Sequence, residues 1–141
     1  MISNHDLQSS ISSSSLKLKI ITQKSVLLLE DEPIIAWQLE MKLQNWGYRD
    51  LTVHESMADA GPTIGQRTYD IVISNLRLLD GWIDHDFARS LSRGKTHLII
   101  LTGLGDIDLH QMDWEPVVPT FLFKPYTLLQ LRNELTKVEV P

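Results

Sequence analysis

Residues 25–33 read SVLLLEDEP. The apolar run Ser25 to Leu29 stops abruptly at three acids, Glu30, Asp31 and Glu32, and Pro33 follows where a first helical turn tolerates it. A short apolar run of this kind suits a strand buried on both faces. Beyond it Ile35, Leu39, Leu43 and Trp46 recur at spacings of 4, 4 and 3, one helical stripe, and Gly47 ends that helix. The stretch therefore reads as strand, acidic loop, helix.

Working outward, the same alternation repeats. DLTVH (Asp50 to His54) is a weaker strand, and residues 57–66 are ambiguous because Gly61-Pro62 interrupts them. DIVISN (Asp70 to Asn75) is a β-branched strand followed by a break at Asp80-Gly81. Ile83, Phe87 and Leu91 mark a helix. THLIILT (Thr96 to Thr102) is a strong strand closed by Gly103, and Asp106 to Asp113 suit a short helix. TFLF (Thr120 to Phe123) is the last strand, followed by Lys124-Pro125. Leu128, Leu131, Leu135 and Val138 give a final stripe. Five strands alternating with helices imply a parallel sheet covered on both faces. In a domain of this size the expected architecture is α/β, a flavodoxin-like (βα)5 three-layer sandwich with strand order 2-1-3-4-5.

Composition narrows the function. The 141 residues favour one domain, and the absence of cysteine excludes disulfides and thiolate metal sites. That fits a cytoplasmic location. No apolar run is long enough for a membrane span. A net charge of −5 offers no basic footprint for nucleic acid. Residues 1–24 contain the low-complexity run SSISSSS, lack an apolar signal-peptide core, and read as a flexible Ser-rich extension ahead of a domain over 25–141. Leu16, Leu18, Ile20 and Ile21 also give that segment something to cover a surface with. A hydrolase is poorly supported: no Ser sits in a G-x-S-x-G elbow, and the five His residues show no metal-ligand spacing.

In open sheets of this type the site lies outside the carboxyl ends of the strands. Those ends carry Glu30, Asp31 and Glu32, then Asn75, then Thr102, then Lys124 and Pro125. An acidic triplet alone is usually solvated surface, a Thr closing a strand is usually a cap, and a lone Lys is usually exposed. Their convergence on one edge points to phosphate and metal chemistry. Two carboxylates can hold a hard cation such as Mg²⁺, and a Lys supplies a point charge to a phosphoryl group.

With these motifs in order, the chain resembles the receiver domain of two-component response regulators over Ser25 to about Glu139. VLLLEDEP resembles the family's first strand with its acidic pair on Glu30 and Asp31. YDIVISNLRLLDG resembles the third strand and its loop, LIILTG the fourth strand with the switch hydroxyl Thr102, and FLFKPY the fifth with Lys124-Pro125 and the aromatic switch position on Phe121. The gaps, 44 positions from Asp31 to Asn75 and 22 from Thr102 to Lys124, are normal for that family. The resemblance implies Mg²⁺ ligands at Glu30, Asp31, position 75 and the backbone carbonyl of Arg77. It also implies a partner face built from the fourth helix, fifth strand and fifth helix, here including Phe121 and Tyr126, for a histidine kinase or downstream effector, with a homodimer as a further expectation.

The departure is Asn75, which stands where the family has its phosphoacceptor Asp. A carboxylate can attack phosphorus and form an acyl phosphate, whereas a carboxamide is uncharged and its oxygen is a poor nucleophile. The acids also fall from three to two, so Mg²⁺ binding should weaken. Asp70 offers no substitute, lying five residues back at about 3.3 Å each, roughly 16 Å away; Asp80 sits in the following loop with nothing to aim it at Lys124. Leu79, where the family often has Pro, and Trp82 also alter that loop. The leading expectation is a pseudo-receiver, non-enzymatic, unphosphorylated at Asn75 and acting through protein binding, with Lys124 pairing with Asp31 or Asn75. The alternatives are an ordinary phosphorylation switch, if Asn75 is engineered or deamidated, and a flavodoxin-like small-ligand binder. Against the latter, acids rather than a Gly-rich loop follow the first strand.

Overall fold

The computed structural model describes residues 22–92, 94–103, 114 and 117–139. Its strands are β1 (Thr22–Leu29), β2 (Tyr48–His54), β3 (Ile71–Asn75), a two-residue pair β4 (Arg77–Leu78) and β5 (Gly81–Trp82), β6 (His97–Gly103) and β7 (Thr120–Lys124). Its helices are α1 (Pro33–Asn45), α2 (Met57–Gln66), α3 (His85–Leu91) and α4 (Leu128–Glu139). Five strands form one sheet in the order β2-β1-β3-β6-β7, all parallel, as the alternation requires. The antiparallel β4–β5 pair stands apart from it.

The apolar runs are buried on both faces because successive side chains point to opposite sides. Leu27, Leu29, Val72, Leu98 and Ile100 meet Ala60 and Ile64 of α2 and Ala88 and Leu91 of α3. Val26, Leu28, Ile71, Ile73, Ile99 and Leu101 meet Leu39 and Leu43 of α1 and Leu131 and Leu135 of α4. The sheet is thus the middle of three layers.

Element ends follow local chemistry. Gly47, at φ 99°, closes α1 in a conformation that a side chain disfavours. Thr127 and Gln130 form a reciprocal capping box at the start of α4, at 3.0 and 2.7 Å. β1 begins at Thr22, ahead of Ser25, because the Thr22 N–H bonds to the Gly47 carbonyl at 3.0 Å and Thr22 pairs with Tyr48 across a register shift. Residues 22–24 therefore lie in the strand, while 1–21 and the short helix expected over Asp106 to Asp113 lie outside the described residues.

The ambiguous stretch 57–66 is one helix despite Pro62. Gly61 and Pro62 sit on its exposed side, where water can serve the carbonyl that Pro62 leaves unbonded. Its start is doubly closed. The Ser56 hydroxyl accepts from Asp59 N–H at 3.0 Å, and the Asp80 carboxylate accepts from Met57 and Ala58 N–H at 3.0 Å each. The Met57 and then the Ala58 bond lower the Asp80 pKa. A depressed carboxyl pKa stabilises the fold above its unfolded value of 3.8 and ceases to do so as the pH falls through the folded value. Asp80→Asn is therefore expected to lower the urea midpoint at neutral pH, with the difference closing on acidification. A difference independent of pH would rule out the charge as the cause.

Candidate functional site

Register brings the strand ends into a row. Leu29 pairs with Ser74, Asn75 with Leu101, and Gly103 with Lys124, so the residues that follow or end each strand share the carboxyl edge. There a pocket of ≈ 340 Å³ is lined by Asp31, Glu32, Asn75, Arg77, Thr102 and Lys124, among others. Glu30 lies just beneath, 1% exposed; Asn75 is 4% and Thr102 1% exposed. Five of the strand-end residues picked out in the sequence, Asp31, Glu32, Asn75, Thr102 and Lys124, thus line one pocket, together with Arg77.

Asn75 is the centre of the polar network. Its Nδ2 donates to Glu30 Oε2 at 2.7 Å and reaches Asp31 Oδ1 at 3.5 Å, the second bond being the weaker. Its Oδ1 accepts from Lys124 Nζ at 3.1 Å. Carboxylates on one side and an ammonium on the other leave the amide one favourable orientation. Of the two partners expected for Lys124, Asn75 is the one it meets. The amide acts as a neutral bridge between a positive and a negative group.

Glu30 is under tension between burial and bonding. Burial raises its pKa above the usual 4.5, and the Glu32 N–H, the Asn75 amide and the Lys124 charge each pull it back. The Glu32 N–H bonds to Glu30 Oε2 at 3.1 Å, which leaves Glu30 Oε1 buried with no hydrogen-bond partner. Glu32, outside the acidic pair, bonds to Glu30 through its backbone and lines the pocket.

Other expected site residues stand apart. Phe121 does not line the pocket; it is partly buried against the α2–α3 side of the core, its ring 5.5 Å from that of Trp114 at 72°. Pro125, after a cis peptide bond, is exposed. Arg77 turns its guanidinium over the Trp82 ring, 5.7 Å from the centroid, so Trp82 is a half-exposed platform for a cation. Asp70 is held at the far end of β3 by Ser25, whose N–H and hydroxyl donate to Asp70 Oδ2 at 2.8 and 3.1 Å. Asp80 is committed to the start of α2. Neither acid serves Lys124. His54 bonds Thr63, and His97 lies 3.5 Å from Glu134, both away from the pocket. Among the described residues no group of three or more His, Cys, Asp or Glu side chains is arranged to hold a metal ion.

An acidic pair, an amide, a hydroxyl and a lysine at the carboxyl edge of a 2-1-3-4-5 sheet define a class, and comparison with solved structures gives the same one: the fold is that of response-regulator receiver domains. Among the similar structures is the receiver domain of a Pseudomonas aeruginosa sensor histidine kinase, with magnesium coordinated in its active-site cleft (20% identity, 84% of this chain and 100% of that one, TM-score 0.70). Another is the inactive form of the regulatory domain of the repressor of iron transport regulator RitR (28%, 82% and 94%, TM-score 0.64). A third is a mutant of the anti-anti-sigma factor PhyR from Bartonella quintana (16%, 95% and 55%, TM-score 0.66), of which this chain spans about half the length. No family model and no curated protein matches the chain. No helix among the described residues is long and apolar enough to cross a membrane.

Proposed function

We propose that the chain is a pseudo-receiver: a signalling module of two-component phosphorelay systems that takes no phosphoryl group on residue 75 and acts by binding protein partners. The observation that carries this reading is the Asn75 amide spanning Lys124 and Glu30. In a phosphorylated receiver the lysine meets a phosphoryl oxygen. Here its ammonium is engaged by a neutral oxygen with no nucleophilic power, so the pocket rests in one state without a covalent modification. The module catalyses no reaction of its own.

A hard cation fits the pocket by donor type. Glu30 Oε1 is buried and unpartnered, Asp31 adds a second carboxylate, and the Arg77 carbonyl would be a third oxygen. Bound there, Mg²⁺ would neutralise the acids and offer its remaining positions to anionic oxygens. The Asn75 N–H groups compete with it, since they already occupy lone pairs of Glu30 and Asp31. Mg²⁺ binding is accordingly weaker than in a three-acid pocket. Thr102 and Phe121 keep the switch positions, and partners such as a histidine kinase or a downstream effector would meet the face around β7 and α4. There Phe123 and Leu129 are exposed. A cytoplasmic setting suits this reading, with neither nucleic acid nor membrane contacted directly.

The test is an intact mass after incubation with a small-molecule phosphodonor and Mg²⁺. The unmodified chain is expected to show no phosphoryl adduct under conditions that modify an ordinary receiver. An adduct on this chain would overturn the proposal.

A further inference from the structure

α1 is apolar on two faces. Ala36, Leu39 and Leu43 are buried against the sheet, while Ile34, Trp37 and Met41, at helical spacing, are 72%, 60% and 43% exposed. Beside this second stripe runs a groove of ≈ 580 Å³, lined by Ile35, Trp37, Met41, Asn45, Tyr126 and Leu128 among others. Leu128 and Leu129, at 44% and 67% exposure, extend the apolar surface onto the start of α4. A contiguous exposed patch of large side chains marks a surface that something covers. It is separate from the Asn75 pocket, with which it shares no lining residue.

We propose that the groove is a docking site for the chain's own N-terminal segment, residues 16–21, so that the segment acts as a built-in competitor for whatever else binds α1. Three observations converge. First, position: the Thr22 N–H bonds to the carbonyl of Gly47, so Thr22, to which the segment is joined, stands at the C-terminal end of the helix that carries the groove. Second, pattern and length: the segment reads LKLKII, with Leu16, Leu18 and Ile20 on one face of an extended chain and Lys17 and Lys19 on the other. Extended, its six residues span about 20 Å at about 3.3 Å each. The groove, from Ile35 to Asn45 along α1, runs for about 15 Å at about 1.5 Å per residue. Third, charge: the only charged residue lining the groove is Lys42, so the apolar face of the segment, Leu16, Leu18 and Ile20, is the one that suits it, with Lys17 and Lys19 turned to solvent. Because the segment is tethered beside the groove, its effective concentration is of millimolar order, so weak intrinsic affinity suffices.

The absence of cysteine makes the test clean. A nitroxide is attached to full-length protein carrying Ser15→Cys, and the indole N–H resonances of the four tryptophans are followed. The Trp37 signal is expected to lose intensity severalfold relative to that of Trp82, which lies in β5 and does not line the groove. Met41→Glu, at an exposed position, is expected to restore it. The double change Leu18→Glu, Ile20→Glu, which leaves the folded body untouched, is expected to do the same. Equal broadening of Trp37 and Trp82, or none, would overturn the proposal. So would broadening of Trp37 that survives both variants. Loss of Trp37 signal in a mixture of spin-labelled, isotopically silent protein with unlabelled, observable protein would assign the groove to a second copy instead and also overturn it.

Discussion

Asn75→Asp is expected to make position 75 a phosphoacceptor. With a small-molecule phosphodonor and Mg²⁺, the variant should gain a single phosphoryl adduct by intact mass, and the adduct should map to residue 75. The carboxylate oxygen forms the new O–P bond as the donor's bond to phosphorus breaks and its leaving group departs. The groups that the proposed step would use surround position 75: Lys124 within hydrogen-bonding distance of the side chain there, Thr102 in the pocket wall, and Glu30 and Asp31 on the other side. Mg²⁺ affinity should rise too. Two unit charges about 4 Å apart interact by about 4 kcal/mol at an effective dielectric near 20, and a dication doubles that. Desolvation of the new carboxylate and its repulsion by Glu30 offset much of the gain, leaving a rise on the order of 10- to 100-fold. Titration with Mg²⁺, read by calorimetry, measures it directly. If the variant stays unmodified while binding Mg²⁺ tightly, the pocket is not built for phosphoryl transfer, and the receiver-like mechanism falls with it.

That substitution exchanges one heavy atom, the amide nitrogen for an oxygen, in a site whose address was readable from the sequence. The sheet was legible because each strand is an apolar run ending in polar residues, and parallel strands need the helices that alternate with them. Once order 2-1-3-4-5 was inferred, Glu30, Asn75, Thr102 and Lys124 had to be neighbours. What escaped reading depends on contacts that no local pattern encodes. Asp80 closes α2 from more than twenty positions away, and only the turn after β3 brings it there. α2 survives Gly61-Pro62 because its start is held by two side chains and its breakers face water. The capping box of Thr127 and Gln130 was present as a local signal, T-x-x-Q, and passed unread. The single stripe assigned to the first helix hid a second one, since Ile34, Trp37 and Met41 are as apolar as the buried set. Which face packs inward is decided by the sheet. Spacing also put Asn75 in place without revealing that its amide would bridge the two charges.

That bridge makes Asn75 a structural residue. Asn75→Leu, with the same branching and no polar atom, is expected to destabilise the fold by about 2–4 kcal/mol. It removes a hydrogen bond to a buried carboxylate and leaves Lys124 without its acceptor. The loss should depend on pH. Burial already raises the Glu30 pKa above 4.5, and removing the amide donor raises it further. A raised carboxyl pKa favours the folded state below the unfolded value, and that advantage is lost as the pH climbs through the folded one. The Asn75→Leu penalty should accordingly be largest at neutral pH and shrink towards pH 4.5, as urea unfolding at both would record. Glu30→Gln in the Asn75→Leu background should recover part of it, giving a coupling of about 1–3 kcal/mol in the double-mutant cycle. A penalty that is flat with pH, or additive with Glu30→Gln, would mean that the cost is packing alone. Coupling of the expected sign would mean that the uncharged Asn75 amide is what holds the two acids and the lysine together.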